Sequence, residues 1–193
     1  VPLKVEGAYA SAKAALAAAK ERNPKSPRLA LEEARLEITQ GNTEEGRKLV
    51  DEAIRLKSNY GEAIFVLAQL DIDAGNIAGA IASLEQAKLL NPDDAGLLFR
   101  LGLLKYNEED YEGAALSLER AVELVSDYAN ARYFLGLTQY HLGQIPAALA
   151  QFETVQSTNP DNEEVKNIIA NLKNGRSPLG DPEKTPESPP IEE

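Results

Sequence analysis

The chain has 193 residues and a net charge of −11, with 43% apolar and 26% charged residues, as expected for a folded domain. The acidic excess argues against nucleic acid and anionic membrane surfaces as partners, because both attract clustered Lys and Arg. Cysteine is absent, which excludes disulfides, thiol catalysis and thiolate metal sites. Because no run of 18 apolar residues occurs, we also expect no membrane insertion by this chain.

The chain opens with a short N-terminal segment, residues 1–6, followed by the alanine-rich stretch 7–22. Alanine has the highest helix propensity, so this stretch predicts a helix. Pro2 would break a helix that held it in its interior, and we therefore expect no intact helix directly before Gly7. We therefore expect residues 7–26 to form a half repeat, which is the second helix of a two-helix unit whose first helix is missing.

Four segments of equal length follow, and each predicts two helices joined by a turn: 27–60, 61–94, 95–128 and 129–162. In the last segment Ala148, Phe152 and Val155 share one helical face. A small residue recurs at the same place in every copy, including the half repeat: Ala12, Gly46, Ala80, Ala114 and Ala148. A two-helix unit of this size cannot bury its apolar face alone, so the copies must stack.

The C-terminal part predicts one more helix and a tail. Residues 163–174 carry a single apolar stripe, Val165, Ile168, Ile169 and Leu172, and form the terminal helix of a solenoid that spans residues 7–175. Residues 176–193 are acidic, contain five prolines and have almost nothing to bury. This composition predicts a disordered or extended tail.

The repeated columns resemble the tetratricopeptide repeat (TPR) family, with position 1 of the four full repeats at residues 27, 61, 95 and 129. The small residues at position 8, Ala34, Ala68, Gly102 and Gly136, match its pattern. The resemblance implies an all-α, right-handed superhelix of about ten helices. Position 11, often Tyr in the family, departs from it with Glu37, Asp71, Lys105 and Gln139.

The resemblance also implies a concave groove lined by fixed positions of each first helix. The residues at those positions are Leu31, Arg35, Ile38, Phe65, Gln69, Ile72, Phe99, Leu103, Tyr106, Tyr133, Leu137 and Tyr140. This apolar and aromatic set suits an extended peptide or a helix of a partner protein. The basic residues with which some family members hold a terminal carboxylate are missing.

Catalysis and cofactor binding are not expected. His141 is the only histidine, so no His pair for a metal and no Ser/His couple exists, and a polar surface position is its expected role. The stretch 71–76 is similar to the start of a calcium loop, but Asn76 and Ala82 stand where the glycine and glutamate of that loop belong. We therefore predict a non-catalytic scaffold without a cofactor or metal.

Two alternatives stay open. The unpaired end helices could dock head to tail and form a filament of copies of the chain, with these candidate contacts: Tyr9, Ala12, Leu16, Val165, Ile168, Ile169 and Leu172. Alternatively, the two ends of the chain resemble the soluble repeat region of bacterial O-antigen-ligase-like envelope proteins. That resemblance favours an extracytoplasmic location, in the cell envelope or outside the cell.

Overall fold

The computed structural model describes the backbone of residues 2–180 and the side chains of residues 7–180. Most of the predicted tail, residues 181–193, lies outside the described residues. Between residues 2 and 180 the chain consists of helices and connecting turns. The helices are α1 (Pro2–Arg22), α2 (Pro27–Thr39), α3 (Thr43–Leu56), α4 (Gly61–Asp73), α5 (Ile77–Leu90), α6 (Ala95–Asn107), α7 (Tyr111–Leu124), α8 (Ala129–His141), α9 (Ile145–Thr158) and α10 (Glu163–Lys173). Within this part of the chain, none of them has both the length and the apolar character needed to cross a bilayer.

The chain divides into two compact units, residues 1–92 and residues 93–193. Unit 1 contains α1–α5, and its core includes Leu31, Val50 and Leu70. Unit 2 contains α6–α10, and its core is built around the rings of Phe134 and Phe152. In both units consecutive helices pack against each other, as the stacking of two-helix repeats requires.

Local signals set the ends of the helices. Ser26 caps α2 by accepting a hydrogen bond from the Leu29 amide at 3.3 Å, and Asp94 caps α6 through the Leu97 amide at 3.0 Å. The turn within a repeat needs one residue with positive φ, and Gly143 takes it with φ of 73°. In the third full repeat Glu109 adopts φ of 61° at the same place, a conformation that side chains rarely take.

The small residues of the repeat lie where the two helices of one repeat approach most closely. A Cβ atom added at Gly136 would lie 2.8 Å from the Phe152 ring, and one at Gly102 would lie 2.6 Å from Leu118 Cγ. At Gly46 a Cβ atom would overlap the Ile38 side chain and approach the Ala34 carbonyl oxygen to 3.2 Å. Side chains at these positions would push the helices apart.

Both chain ends differ from the prediction. Helix α1 begins at Pro2 and not at Gly7, because proline fits the first turn of a helix, where its missing N–H has no partner to lose. At the other end, residues 176–180 are not a free tail: Pro178 is buried and Leu179 packs against the core of unit 2. The composition of the tail did not predict this contact, because it depends on Pro178 and Leu179 alone in a segment that is otherwise rich in proline and charged residues.

Replacing Gly46 with Leu should lower the free energy of unfolding by more than about 2 kcal/mol, because the new side chain overpacks the contact between α2 and α3. Urea unfolding followed by circular dichroism measures the change. Gly7→Leu is the matched control, since Gly7 is also helical but has no atom within 4 Å of an added Cβ. Equal stability of the two variants would show that the helices do not meet at Gly46.

Candidate protein-interaction site

In unit 1 the predicted groove residues divide between the core and the surface. Leu31 is buried and Ile38 packs against the unit 1 core, while Phe65 and Ile72 are half-buried. Arg35 and Gln69 are exposed. The Arg35 guanidinium lies 3.4 Å from the carboxylates of both Glu32 and Glu62. The exposed part of this set is therefore polar, and its charges pair within the unit.

In unit 2 the predicted residues are more apolar, and half of them are core residues. Tyr106, Tyr133 and Leu137 are buried. The residues that stay half-buried are Phe99, Leu103 and Tyr140, which we call the α6–α8 face. Helices α6 and α8 contact each other directly, so these side chains lie on neighbouring helices.

Tyr133 is buried because its polar tip finds a partner inside the unit. Its hydroxyl donates a hydrogen bond to Glu164 Oε1 at 2.7 Å, and its ring lies 5.4 Å from Phe134 and 5.7 Å from Phe152, edge to face. Burial, and then the hydrogen bond to the Glu164 carboxylate, raise the pKa of Tyr133. Tyr133 therefore supports the core of unit 2 instead of lining a groove.

A cluster of rings borders the C-terminal ends of α6 and α8. His141 stacks on Tyr111 with a centroid distance of 4.3 Å and an interplanar angle of 3°. The Tyr106 hydroxyl lies 3.5 Å from His141 Nε2, and burial raises the pKa of Tyr106 to about 12. Desolvation lowers the pKa of His141. His141 is exposed as predicted, but its stacking on Tyr111 could not be inferred from its position in the sequence.

A cavity of about 590 Å³ opens beside the α6–α8 face and was not predicted. Its lining residues come from the starts of α6 and α8 and from the ends of α7 and α9: Ala95, Gly96, Val125, Asp127, Tyr128, Ala129, Thr158 and Asn159. The Tyr128 ring also lies 5.1 Å from Phe99, so the cavity and the face share a wall. The small side chains of Ala95, Gly96 and Ala129 were the available sequence signal, since they leave the space unfilled.

Position 11 of the repeat, which departs from the family pattern, carries ion pairs that join consecutive repeats in unit 1. The buried Glu37 carboxylate accepts hydrogen bonds from Lys13 Nζ at 2.7 Å, from Asn42 Nδ2 at 2.7 Å and from the Tyr9 hydroxyl at 2.9 Å. The hydrogen bond from Lys13 is the main reason that the pKa of Glu37 falls from near 4.5 to about 2.

The next repeat of unit 1 repeats this arrangement. The Asp71 carboxylate, also buried, accepts hydrogen bonds from Arg47 at 2.9 Å and from Asn76 at 3.1 Å. In both cases the basic side chain, Lys13 or Arg47, belongs to the second helix of the preceding repeat. The asparagine belongs to the turn that follows the helix of the acidic residue. The position-11 residues of unit 2 differ: Lys105 is half-buried, and Gln139 is buried. Among the described residues, the Gln139 side-chain oxygen has no hydrogen-bond partner.

The predicted assembly residues on α1 and α10 differ in how far the chain itself covers them. On α1, Tyr9, Ala12 and Leu16 are half-buried, and this helix packs on α2. The stripe on α10 lies in the core of unit 2: Val165, Ile168, Ile169 and Leu172 are at most 6% exposed. The α10 stripe therefore stabilises its own unit and is not on the surface.

No group of three or more His, Asp or Glu side chains in the described part of the chain is arranged to hold a metal ion.

The repeat architecture is that of a known family. One profile described as tetratricopeptide repeat matches residues 6–60 and 65–129, and a second profile of the same description matches residues 106–172. The chain thus belongs to the tetratricopeptide repeat family and has its all-α solenoid fold, which confirms the fold class predicted from the repeat columns.

Solved structures share this fold at low sequence identity. YrrB, described as a TPR protein with an unusual peptide-binding site, is 23% identical, with a TM-score of 0.74 over 86% of this chain and 87% of YrrB. A crystal structure of MamA is also 23% identical, with a TM-score of 0.71 over 77% of this chain and 81% of MamA. MamA from Desulfovibrio magneticus RS-1 is 18% identical, with a TM-score of 0.66 over 81% of this chain and 89% of that one. A comparison with curated proteins found no match.

Replacing Glu37 with Gln should make stability less dependent on pH in acid. Because the folded pKa is lowered to about 2, the carboxylate contributes stability above pH 4.5 and loses it as the pH falls toward 2. The urea midpoint of wild type should therefore exceed that of the variant at pH 7, and the difference should shrink below pH 4.5. Glu119→Gln, on the exposed side of α7, is the control. A difference that stays constant from pH 7 to pH 2 would contradict the ion pair.

Proposed function

We propose that the protein is a non-catalytic scaffold that binds a segment of a partner protein on the α6–α8 face of unit 2. The observation that carries this proposal is the combination of three half-buried apolar side chains, Phe99, Leu103 and Tyr140, with the adjoining cavity of about 590 Å³. Aromatic side chains that are partly exposed and held in place by neighbours are the usual anchors of protein interfaces.

The chemistry of the face favours a peptide over a charged ligand. Its side chains are apolar or aromatic. The cavity beside it is lined by Val125, the Tyr128 ring and small residues, together with the polar Asp127, Thr158 and Asn159. Val125 is 40% exposed. A partner segment with one or two apolar side chains would cover these groups and leave the core of unit 2 unchanged.

The family supports an interaction role, and YrrB is itself described as having a peptide-binding site. The absence of catalysis is part of the proposal and follows from the chemistry of the face. His141, the histidine of the chain, stacks on Tyr111, and this arrangement positions it for packing. Self-association and an extracytoplasmic location stay predictions, and the burial of the α10 stripe lends the first no support.

A substitution that tests the α6–α8 face must leave the core of unit 2 intact, so the buried Tyr133 is not a suitable site. Leu103→Glu places a carboxylate on the α6–α8 face, and Leu116→Glu is its matched control because Leu116 is 69% exposed on α7. Peptides selected on the wild-type chain from a random phage library should bind Leu103→Glu at least about tenfold more weakly, through the cost of burying the new charge. They should bind Leu116→Glu unchanged.

A second variant protects this test against a folding defect in Leu103→Glu. Gly96→Gln fills the mouth of the cavity, and its Cβ would meet only Asp94 Oδ1, at 3.4 Å. We expect it to weaken the same peptides while leaving the melting midpoint unchanged. If both variants bind the selected peptides as well as wild type does, the α6–α8 face is not the binding site.

A further inference from the structure

The chain reverses direction after α10 and returns along that helix. Gly175 has φ of 67°, and the Arg176 amide donates a hydrogen bond to the Asn171 carbonyl at 2.8 Å, a reversal typical of helix C-termini. A second turn follows, in which the Gly180 amide donates to the Ser177 carbonyl at 3.0 Å. We call residues 176–180 the C-terminal strap.

Side-chain bonds show on which flank of α10 the strap lies. On one flank Lys173 pairs with Glu153 of α9 at 2.8 Å, and on the other Glu164 accepts the hydrogen bond from Tyr133 of α8. Asn171 follows Glu164 by seven residues, two helical turns, and so shares the flank that faces α8. The Asn171 side chain donates from Nδ2 to the Pro178 carbonyl oxygen at 3.0 Å. The strap therefore lies on the α8 side of α10.

That side continues the α6–α8 face. Leu103, Leu137 and Asn171 occupy the same position in three successive repeats, 34 residues apart. At this position Arg35 and Gln69 are exposed and Leu103 is half-buried, but Leu137 is only 1% exposed. Leu137 neighbours the helix that carries the strap, and Leu179 of the strap packs against the core cluster that includes Leu137.

We propose that the C-terminal strap is an internal ligand of unit 2, and that its docking place binds a Pro-Leu turn of a partner protein. This inference rests on the proposed function, because it names the kind of segment that the α8–α10 end of the same face accepts. The occupant seen in the structure defines the chemistry: a buried proline, the next residue as an apolar anchor, and a carbonyl that accepts a hydrogen bond from Asn171.

Proline suits this place for a physical reason. Proline has no N–H, so burying Pro178 removes no hydrogen-bond donor from water. Its carbonyl oxygen accepts a hydrogen bond from the Asn171 side chain. Its fixed φ also suits the first central position of the turn and reduces the entropy lost when the turn docks. A partner segment must displace the strap, which is tethered to its site and has an effective concentration on the order of millimolar.

The experiment uses the full chain and a fluorescent peptide with the sequence of residues 176–181, RSPLGD, followed by anisotropy. Leu179→Ser removes the apolar anchor and should release the strap, so the peptide should bind this variant at least tenfold more tightly than wild type. A double variant that combines Leu179→Ser with Asn171→Ala should bind the peptide at least tenfold more weakly than Leu179→Ser does. Asn174→Ala is the matched control, since its side chain bonds only the Ala170 carbonyl, at 2.8 Å, and it should leave the affinity unchanged.

In the anisotropy experiment, two outcomes would overturn the proposal: no gain in affinity for Leu179→Ser, or equal binding of a peptide in which Ser replaces the Leu.

If Leu179→Ser does not fold, wild type still provides a test. Excess peptide at several millimolar should then speed amide hydrogen exchange at Gly180, whose N–H is bonded within the strap, and unchanged exchange would reject the idea. Phage-selected peptides that depend on Leu103, together with failure of RSPLGD, would reject the strap proposal and leave the proposed function standing.

Discussion

The close approach of the two helices within each repeat is the constraint on which the rest of the structure depends. Gly46, Gly102 and Gly136 each leave less space than a single Cβ atom needs. At that separation side chains such as Phe152 fill the contact completely and are fully buried. The stacking of these closely packed helix pairs then builds the core of each unit.

Consecutive repeats of unit 1 are joined by a second kind of interaction. At position 11, where the family often has Tyr, Glu37 and Asp71 each place a buried carboxylate. It accepts hydrogen bonds from a basic side chain of the preceding repeat and from an asparagine of the following turn. Such a pair contributes little net stability compared with apolar packing, but removing one partner leaves a buried charge.

In unit 2 rings join consecutive repeats, since the Phe134 ring centroid lies 5.6 Å from that of Tyr106 and 6.1 Å from that of Phe99 in the preceding repeat. Phe99 is also part of the α6–α8 face. Tyr133, Phe134 and Phe152 pack edge to face in the core. Phe99 and Tyr128 lie at the margin, where their ring centroids are 5.1 Å apart. A ring that is held by neighbours yet partly exposed loses little entropy when a partner covers it. The strap ends this surface at α10, where Asn171 bonds to Pro178.

The sequence by itself determined the repeat phase, the two-helix units and the small residues between them. These features are local and recur every 34 residues, so the sequence alone predicts the turn at Gly143 and the columns of small residues that contain Gly46 and Gly136. The helix start at Pro2 was missed because a proline is compatible with a first turn as well as with a break.

Only the tertiary structure decided which groove positions face solvent. Phe99 and Tyr133 occupy equivalent positions, yet Phe99 stays half-buried, while Tyr133 is buried and its hydroxyl is bonded to Glu164 of α10. The burial of Pro178, the cavity beside Tyr128 and the pairing of Lys13 with Glu37 likewise depend on groups from different helices. The periodic pattern places each residue on a helix face, but the neighbour that covers that face belongs to another part of the chain.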